Sequence, residues 1–343
     1  MPLVTSREIL LDARDNRYAV GAFNAHNMET VEAIVSAAEE ERSPVIVQIS
    51  QGTVRYAGLG AGADLVKSRA ARSPVPVVLN LDHGMDIDLC RRCLDAGFTA
   101  LMYDGSGIEL KRHRDETGVA APDFDTVVKL VQSERAFEEN VKYTKQVVDM
   151  AHARAVPVEG ELGRIPRVGD FTGMGLTLDR NSGLPAEVGD MTRRLYADPE
   201  RAREFVRLTG CDSLAVAFGS VHGMETNVQP LDIGHLREIG SKTGVPLVLH
   251  GSSGVLESRE KGLTLGIDLR DHEGGIVDAI EHGVAKINVS TILQTTFVNA
   301  LRASISENPD TNDIRVLFPP AVRALREKVR SFMRTFRSSG KAG

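Results

Sequence analysis

The sequence is poor in cysteine, in long apolar runs and in excess positive charge, and each shortage excludes a class of protein. Its three cysteines cannot all pair, and the CxxC of Cys90 and Cys93 has no second CxxC, so neither a disulfide framework nor a four-cysteine zinc site is expected. No apolar run approaches the roughly 18 residues that span a bilayer. A net charge of −6 gives no basic field for nucleic acid or membrane binding.

The N-terminal segment shows no sign of an export signal. Its residues, MPLVTSREILLDARDNRY, carry charges where a signal peptide needs an apolar core. The composition is that of an ordinary globular protein, with 42% hydrophobic residues to build a large core. These features together predict a cytoplasmic protein.

Short β-branched runs alternate with longer segments of helical period along the chain. The pattern predicts eight strands, at residues 18–23, 44–49, 75–81, 99–103, 156–161, 213–218, 246–250 and 285–289. Strands that alternate with helices form parallel sheets, and eight such units favour a closed (β/α)8 barrel, the TIM barrel of the α/β class. No G-x-G-x-x-G follows a strand, which argues against a dinucleotide-binding sheet.

Three segments interrupt or extend this eightfold pattern. Residues 107–136 and 164–195 are long for loops that follow strands, and loops of that length are usually lids, binding elements or mobile segments. Pro319 and Pro320 are expected to introduce an additional C-terminal helix, AVRALREKVRSFMRTF, which either packs across the barrel or docks on a neighbouring subunit. Residues 1–343 are expected to form one domain that contains both insertions.

Acidic and histidine side chains stand where predicted strands end. In a TIM barrel the active site lies at the carboxyl ends of the strands. Asp82 and His83 end the third strand in NLDHG, His222 follows the sixth strand, and His250 ends the seventh. Three neutral imidazoles that converge on an open position suit a catalytic Zn²⁺ or a similar divalent ion. The sequence therefore predicts a metal site at this rim.

Three more carboxylates are expected at the same rim. Asp104 ends the fourth strand, and Glu159 and Glu161 end the fifth, two positions apart and therefore on one face. Asp104 and Glu161 could contact a metal or pair with Arg or Lys, and the sequence leaves both alternatives open. The remaining histidines fall in predicted loops or helices and are expected to pack or face solvent: His26, His113, His152, His235, His272 and His282.

The ends of the last two strands suggest a phosphate site. HGSSG (250–254) and KINVST (286–291) place glycines, hydroxyls and backbone N–H groups at adjacent strand ends, where many barrels hold a phosphate. A Schiff-base mechanism would need a desolvated lysine. Lys286 is the candidate, but it lies below the rim and is expected to pack or to pair with an acid.

These segments form an ordered series that resembles the class II, metal-dependent ketose-bisphosphate aldolases, the fructose- and tagatose-bisphosphate group. The series is GAFNAHN, PVIVQIS, NLDHG, ALMYDGS, FEENVKYTKQVV, VEGELG, YADPERAREFV, AVAFGSVHG, VLHGSSG and KINVST. The resemblance implies a homodimeric or homotetrameric aldolase. Its substrate would be a phosphorylated ketose, above all fructose 1,6-bisphosphate, which it would cleave to dihydroxyacetone phosphate and an aldehyde.

The resemblance also implies roles for individual residues. Zn²⁺ or another divalent cation would be held by three histidines, His83, His222 and His250. Asp82 would be the acid/base, while Asp104 and Glu161 would contact a second metal ion, a monovalent cation or an alternative metal position. The substrate and its phosphate would be bound by Asn24, Ser50, Gly223, Gly251, Ser252, Ser253, Asn288, Ser290 and Thr291.

The chemistry of ketose cleavage explains why such parts are needed. Breaking the bond between C3 and C4 leaves an enediolate, whose developing charge a bound Zn²⁺ stabilises as a Lewis acid. The proton of the C4 hydroxyl must leave as the bond breaks, and Asp82 beside His83 is placed to take it.

The sequence departs from the family at several positions. Ser290 and Ile292 stand where acids are usual, Gly107 replaces a histidine, and the loop after ELG reads RIPRVGD, with Asp170 as a weak substitute for a proton-relay glutamate. FPP replaces DPR near the C-terminus, which removes an arginine for the distal phosphate. The alternatives are a tagatose-bisphosphate or ketose 1-phosphate aldolase, a non-catalytic sugar-phosphate-binding barrel, and a metal-assisted hydrolase.

Overall fold

Eight parallel strands close into a barrel in a computed structural model, which describes residues 3–119, 122–172, 186–226 and 228–343. The strands are β1 Val20–Asn24, β2 Val45–Ser50, β3 Val77–Gly84, β4 Ala100–Tyr103, β5 Val158–Leu162, β6 Ser213–Val216, β7 Leu247–Leu249 and β8 Val284–Val289. Their order around the barrel is β1-β8-β7-β6-β5-β4-β3-β2. Each strand overlaps one predicted from the sequence, so the TIM barrel is confirmed.

Helices connect the strands and surround the barrel. They are α1 Ser6–Asp15, α2 Met28–Glu41, α3 Gln51–Ala57, α4 Leu59–Ala70, α5 Ile87–Asp95, α6 Ile108–Thr117, α7 Phe124–Val131, α8 Glu134–His152, α9 Val168–Thr172, α10 Ala186–Arg193, α11 Pro199–Thr209, α12 Ile233–Thr243, α13 Arg259–Thr264, α14 Ile276–Glu281, α15 Thr291–Glu307 and α16 Ile314–Thr335. A 3₁₀ turn, Ser252–Gly254, and an antiparallel ribbon of Leu231–Asp232 with Glu273–Gly274 complete the described elements. Within these ranges no helix is long and apolar enough to cross a membrane.

Helix α1 closes the amino end of the barrel. Leu10 and Ala13 of this helix pack into one buried cluster with Val20, Ile46 and Val78, which lie near the starts of their strands. The barrel interior is therefore apolar and sealed at this end. Access from solvent is left to the opposite rim, at the carboxyl ends of the strands, which is where the polar residues of the sequence motifs lie.

Each of the two insertions contains two helices among its described residues. Helices α6 and α7 lie within 107–136, and α9 and α10 lie within 164–195, of which residues 173–185 fall outside the described residues. In the first insertion, Arg112 forms ion pairs with Glu109 and Glu139. The three cysteines are buried and free, which agrees with a packing role for Cys90 and Cys93 in α5.

Helix α16 begins earlier than the sequence indicated. It starts at Ile314, with the Asp313 side chain accepting a hydrogen bond from Arg315 N at 2.9 Å, so Pro319 and Pro320 lie inside the helix rather than before it. Proline fixes φ near the helical value, but it removes its own bond to the carbonyl four residues earlier and its ring crowds that carbonyl. Those carbonyls belong to an exposed first turn, where water can satisfy them.

The C-terminal helix packs on its own barrel, which was one of the two alternatives. It contacts α2 and α15, and the rings of Phe332 and Phe336 each lie 6.4 Å from the ring of Phe23 in β1. Arg330 adds an ion pair of 2.9 Å to Glu41 at the end of α2. This packing buries the outer face of β1 and so supports the strand that carries Asn24.

Candidate active site

A pocket of about 400 Å³ opens at the carboxyl end of the barrel. This volume is in the range of small-molecule sites. Its wall contains all of the predicted site residues except Asp104 and Glu161, which are buried around His83. One concave site thus brings together residues from the ends of six strands and the loops that follow them.

A β-bulge directs the adjacent side chains of Asp82 and His83 into the same pocket. Consecutive residues of a regular strand point to opposite faces. Strand β3 shifts register against β4 between Leu81 and Gly84, and His83 has a φ of 49°, a left-handed conformation that is uncommon outside glycine. A Cβ on Gly84 would lie 2.7 Å from a backbone oxygen of β4, so this close approach requires glycine. The acid, imidazole and glycine of NLDHG are therefore the parts of one bulge that re-aims side chains.

His83, His222 and His250 converge as predicted. One nitrogen from each lies within 4.8 Å of the other two. The ring centroids are 4.8 Å apart for His83 and His250 and 5.3 Å apart for His83 and His222. Three imidazoles at this spacing can share one tetrahedral or five-coordinate divalent ion and leave positions open toward the pocket.

Two of the three histidines are held in the neutral form that binds metals. Burial lowers the pKa of His222 well below its usual range, and the nearby charges of His83, His250 and Arg167 lower it further. Burial also lowers the pKa of His250, even though Glu159 acts in the opposite direction. Neither ring has to lose a proton before it coordinates a cation near neutral pH.

His83 differs because it lies among carboxylates. Its Nδ1 donates to Asp104 Oδ2 at 2.9 Å, which leaves Nε2 facing the other two histidines. Burial alone would lower the pKa of His83, but Asp82, Asp104 and Glu161 outweigh it and raise the pKa to about 10. These acids favour a positive charge at this point, which either a proton or a divalent cation can supply. The carboxylate–histidine pair is the arrangement that orients metal ligands in many sites.

Asp104 and Glu161 form a second possible cation position with His83, because their ligand atoms also lie within 4.8 Å of one another. The hydroxyl of Ser106 lies 2.7 Å from Asp104 Oδ1 and 3.0 Å from Glu161 Oε1, but it has one proton for two carboxylates. Burial and the charge of Asp104 raise the pKa of Glu161 to about 8, so a protonated Glu161 can supply the second hydrogen bond. In the described part of the chain neither acid pairs with Arg or Lys.

A buried ion pair orients His250 from below. Glu159 accepts hydrogen bonds from His250 Nε2 at 2.7 Å and from Lys286 Nζ at 2.6 Å. Burial alone would raise the pKa of Glu159, but the charge of Lys286 and the bonds from both partners lower it to about 2. Because ionised Glu159 can only accept, His250 carries its proton on Nε2 and presents Nδ1 to His83, 3.2 Å away. The prediction that Lys286 pairs with an acid is confirmed.

We expect Glu159→Gln to weaken divalent-metal binding by about 10- to 100-fold, because an amide cannot fix the protonation of His250 by charge. The same variant leaves Lys286 buried without its counter-charge, a change that typically destabilises a fold by about 3–5 kcal/mol. Thermal unfolding and metal titration of the purified variant measure the two effects.

The double variant Glu159→Gln/Lys286→Met is the matched control for this experiment. It removes the unpaired charge, so it should recover most of the thermal stability while its metal affinity stays low. Wild-type metal affinity in the double variant would contradict the orienting role of Glu159.

Two amides hold Asp82 beside the histidine cluster. Asn24 Nδ2 donates to Asp82 Oδ2 at 2.7 Å, and Asn288 Nδ2 donates to Oδ1 at 3.3 Å. The carboxylate is 6% exposed, lines the pocket and lies 4.0 Å from His83 Nε2. A carboxylate with fixed orientation and access to the pocket can exchange a proton with a bound hydroxyl group.

A chain of amides that was not predicted from the sequence lies behind Asn24. Gln48 Nε2 donates to Asn24 Oδ1 at 3.3 Å, and Asn80 Nδ2 donates to Gln48 Oε1 at 2.9 Å. Both side chains are almost fully buried in the barrel interior. Each amide fixes the next, so that the NH₂ of Asn24 faces Asp82. The available signal was a polar residue inside each of two apolar runs, VIVQIS and VVLNL.

Four further residues of the pocket wall were not predicted: His26, Arg167, Val168 and Gln294. The expectation that His26 only packs or faces solvent is wrong, because it lies in the wall with Nδ1 2.7 Å from Thr53 Oγ1. Its Nε2 is buried and has no partner among the described residues. No sequence period marks His26, since it lies in the turn between β1 and α2.

The predicted phosphate residues form a cradle at the ends of β6, β7 and β8. The backbone turns through Gly223 with φ 94° and Gly251 with φ 63°, and a Cβ on Gly251 would lie 3.0 Å from the carbonyl carbon of Val221. Thr291 begins the 17-residue helix α15, whose N-cap Ser290 makes no capping hydrogen bond through its side chain, although Ser253 Oγ accepts from Ile292 N at 3.4 Å. Helix N-termini and glycine turns are suited to an anion.

Known proteins share this architecture over the full length of the chain. The structure superposes on the crystal structure of the YdjI aldolase from Escherichia coli K12 with a TM-score of 0.72 and 30% identity, covering 99% of this chain and 100% of that one. A putative fructose-1,6-biphosphate aldolase from Coccidioides immitis gives a TM-score of 0.69 and 27% identity over 98% and 96% of the two chains. Fold and site therefore define an aldolase, a carbon–carbon lyase.

Sequence comparison identifies the family within that class. The model of the class II fructose-bisphosphate aldolases matches residues 4–341. The fructose-bisphosphate aldolase of Geobacillus stearothermophilus is 36% identical over 100% of this chain and 99% of its own length. That of Staphylococcus aureus strain N315 is 34% identical over the whole of both chains. The chain belongs to the class II fructose-bisphosphate aldolase family, whose members are generally metal-dependent.

Proposed function

We propose that this protein cleaves a phosphorylated ketose, foremost fructose 1,6-bisphosphate, to dihydroxyacetone phosphate and an aldehyde. The observation that carries the proposal is the meeting, in one pocket, of the histidine cluster, Asp82 and the phosphate cradle. The names of the relatives support the same substrate class. The proposal includes a cytoplasmic homodimer or homotetramer.

The residues at the site fit a divalent cation held by His83, His222 and His250. The site combines neutral imidazoles with several carboxylates that surround His83. These ligand types suit Zn²⁺ among the divalent ions. When bound, such a cation supplies Lewis-acid stabilisation of negative charge on substrate oxygens. Asp104 and Glu161 offer a position for a second or a monovalent cation, since the buried Glu161 Oε2 accepts no hydrogen bond in the described ranges and lies 3.8 Å from His83 Nδ1.

Asp82 moves the proton in the proposed reaction. It takes the proton of the C4 hydroxyl while the O–H electron pair becomes the second bond of the aldehyde carbonyl. The electron pair of the C3–C4 bond stays with the triose phosphate fragment, which then takes up a proton at C3 to give dihydroxyacetone phosphate. Asn24 and Asn288 keep the carboxylate in one orientation throughout.

The phosphate cradle positions the substrate for that proton transfer. Ser252 Oγ donates to Asn288 O at 2.7 Å, so the cradle and the residue that orients Asp82 form one connected unit. A phosphate held on this unit fixes the reacting carbons relative to Asp82. Positioning of this kind can supply a large part of a rate enhancement.

A coupled assay for triose phosphate tests the proposal across a panel of ketose 1-phosphates and 1,6-bisphosphates, including both C4 epimers. We expect release of dihydroxyacetone phosphate that a chelator abolishes and Zn²⁺ restores. Activity that survives complete metal removal, or trapping of Lys286 by borohydride with substrate, would contradict it. Binding without turnover would favour the non-catalytic barrel, and release of inorganic phosphate would favour the hydrolase.

We expect a weak preference for bisphosphates over ketose 1-phosphates. The sequence offers basic residues that could replace the missing distal arginine: Arg323 or Arg326 near the C-terminus, and Lys111, Arg112, His113 and Arg114 in the first insertion. Two of them are engaged elsewhere in the chain: Arg326 pairs with Glu40 at 3.3 Å, and Arg112 pairs with Glu109 and Glu139. One charge-assisted contact is worth about 1.5–3 kcal/mol, or roughly one to two decades in kcat/KM. The kcat/KM ratio of fructose 1,6-bisphosphate to fructose 1-phosphate should stay below about a thousand; a larger ratio would reveal a dedicated distal site.

A further inference from the structure

We propose that Arg167 supplies the cationic contact for the proximal phosphate of the substrate, the one on C1 that becomes the phosphate of dihydroxyacetone phosphate. The inference rests on the proposed function and adds a binding residue to it. Arg167 lies in the RIPRVGD loop after β5, one of the segments that depart from the family pattern.

The phosphate cradle itself carries no formal charge. Its groups are glycine N–H, hydroxyl and amide, and apart from the histidines the only cationic side chain in the described pocket wall is that of Arg167. Phosphate oxygens are bound most strongly by charge-assisted hydrogen bonds, and the planar fork of a guanidinium can make two at once. Arg167 therefore provides what the neutral cradle lacks.

The backbone of Arg167 is fixed beside the cradle. Arg167 forms a parallel β-bridge with His222, in which Val168 N donates to His222 O at 3.0 Å and His222 N donates to Pro166 O at 2.8 Å. The next residue after His222 is Gly223, and a Cβ there would lie 3.5 Å from Val168 Cγ2. A side chain that starts from a fixed backbone loses less freedom when it binds a ligand.

The guanidinium of Arg167 is available to bind a ligand because the carboxylate of its own loop, Asp170, already accepts hydrogen bonds from other groups. Asp170 Oδ2 accepts from Arg164 at 3.0 Å and from the backbone N–H of Arg167 at 2.9 Å. The Arg167 side chain is exposed, and it has no carboxylate partner within the described ranges.

The order of the barrel strands assigns Arg167 to the proximal phosphate rather than the distal end. Arg167 follows β5 and bridges to the end of β6, next to the cradle of β6, β7 and β8. Asn24 and Ser50, which line the other side of the pocket, end β1 and β2, the strands diametrically opposite β5 and β6. A ligand that spans the pocket therefore contacts Arg167 with the phosphate that lies in the cradle.

The test compares Arg167→Ala and Arg167→Lys with the wild type in the condensation direction, where each substrate has its own KM. Arg167→Ala should raise the KM for dihydroxyacetone phosphate by about 10- to 100-fold, with kcat and the KM for the aldehyde changed less than about threefold. Arg167→Lys should recover part of the loss, because an ammonium restores the charge but not the fork. Arg135→Ala, which removes an exposed arginine from the first turn of α8, is the control and should leave every parameter near wild type.

Calorimetric binding of sn-glycerol 3-phosphate to the metal-loaded protein gives a readout that needs no turnover. The same 10- to 100-fold loss is expected for Arg167→Ala. An unchanged KM for dihydroxyacetone phosphate, a rise confined to the aldehyde KM, or an equal effect of Arg135→Ala would overturn the assignment. A different outcome would separate the two proposals. If the wild type releases no triose phosphate but binds sn-glycerol 3-phosphate more tightly than Arg167→Ala does, the proposed function is overturned and the assignment of Arg167 stands.

Discussion

Replacement of His83, His222 or His250 by alanine should remove the bound divalent cation and lower kcat/KM for ketose cleavage by about a thousandfold or more. Lewis-acid stabilisation contributes several kcal/mol to such reactions, and each 1.4 kcal/mol corresponds to a factor of ten in rate. The three rings are mutually in reach of one ion, so the loss of any one leaves two ligands, fewer than catalytic zinc sites use. Elemental analysis of the purified variants, with activity before and after Zn²⁺ addition, measures both effects.

His282→Ala is the matched control for the histidine variants. His282 Nδ1 donates to Asp278 O at 2.8 Å at the end of α14, outside the pocket wall. This variant should keep its metal and its rate. A cluster variant with a full complement of metal and a normal rate would show that its histidine is not a ligand.

Asp82→Asn should keep the metal but lower kcat by about 10²- to 10⁴-fold, the usual contribution of a positioned acid/base. The substitution preserves shape but removes the group that takes the C4 hydroxyl proton. One amide oxygen can still accept from Asn24, whereas the new NH₂ meets a second donor at Asn288, so the local geometry loosens as well. Steady-state kinetics with metal analysis tests the prediction, and a near-normal kcat would refute the acid/base assignment.

Asp86→Asn provides a control from the same stretch of chain. Asp86 is exposed and caps α5 by accepting from Asp88 N at 2.9 Å. Asparagine caps a helix about as well as aspartate, so the control should keep both its stability and its kcat. If Asp82→Asn instead lost its metal, Asp82 would have to be counted as a ligand, and the division of roles between Asp82 and the histidines would be wrong.

The elements that the sequence predicted well share a local cause. Strands β3 and β7 could be placed because their apolar runs are short and end in NLDHG and VLHGSSG, and a parallel barrel brings all such ends to one rim. The pairing of Lys286 with an acid followed from its position inside a buried strand, since a buried charge needs a partner. In these cases a residue and its neighbours in the sequence are enough to predict the structural feature.

The features that were missed depend on contacts between distant segments. The start of α16 ahead of Pro319 could not be seen from the proline pair, because packing of the helix on α2 and α15 outweighs two missing hydrogen bonds. His26 and Arg167 lie in turns without a periodic pattern. Arg167 lines the pocket only because its loop bridges to His222.

The amino-acid sequence alone predicts the order of strands and helices, the barrel that this order builds, the family, and the rim at which the polar residues gather. Which side chain contacts which can be read only from the folded molecule. His83 meets Asp104 across 21 positions, His250 meets Glu159 across 91, and Lys286 meets Glu159 across 127. Local propensity sets the elements, but these partners are brought together by closure of the barrel and the stagger of its strands, neither of which is encoded in any one segment.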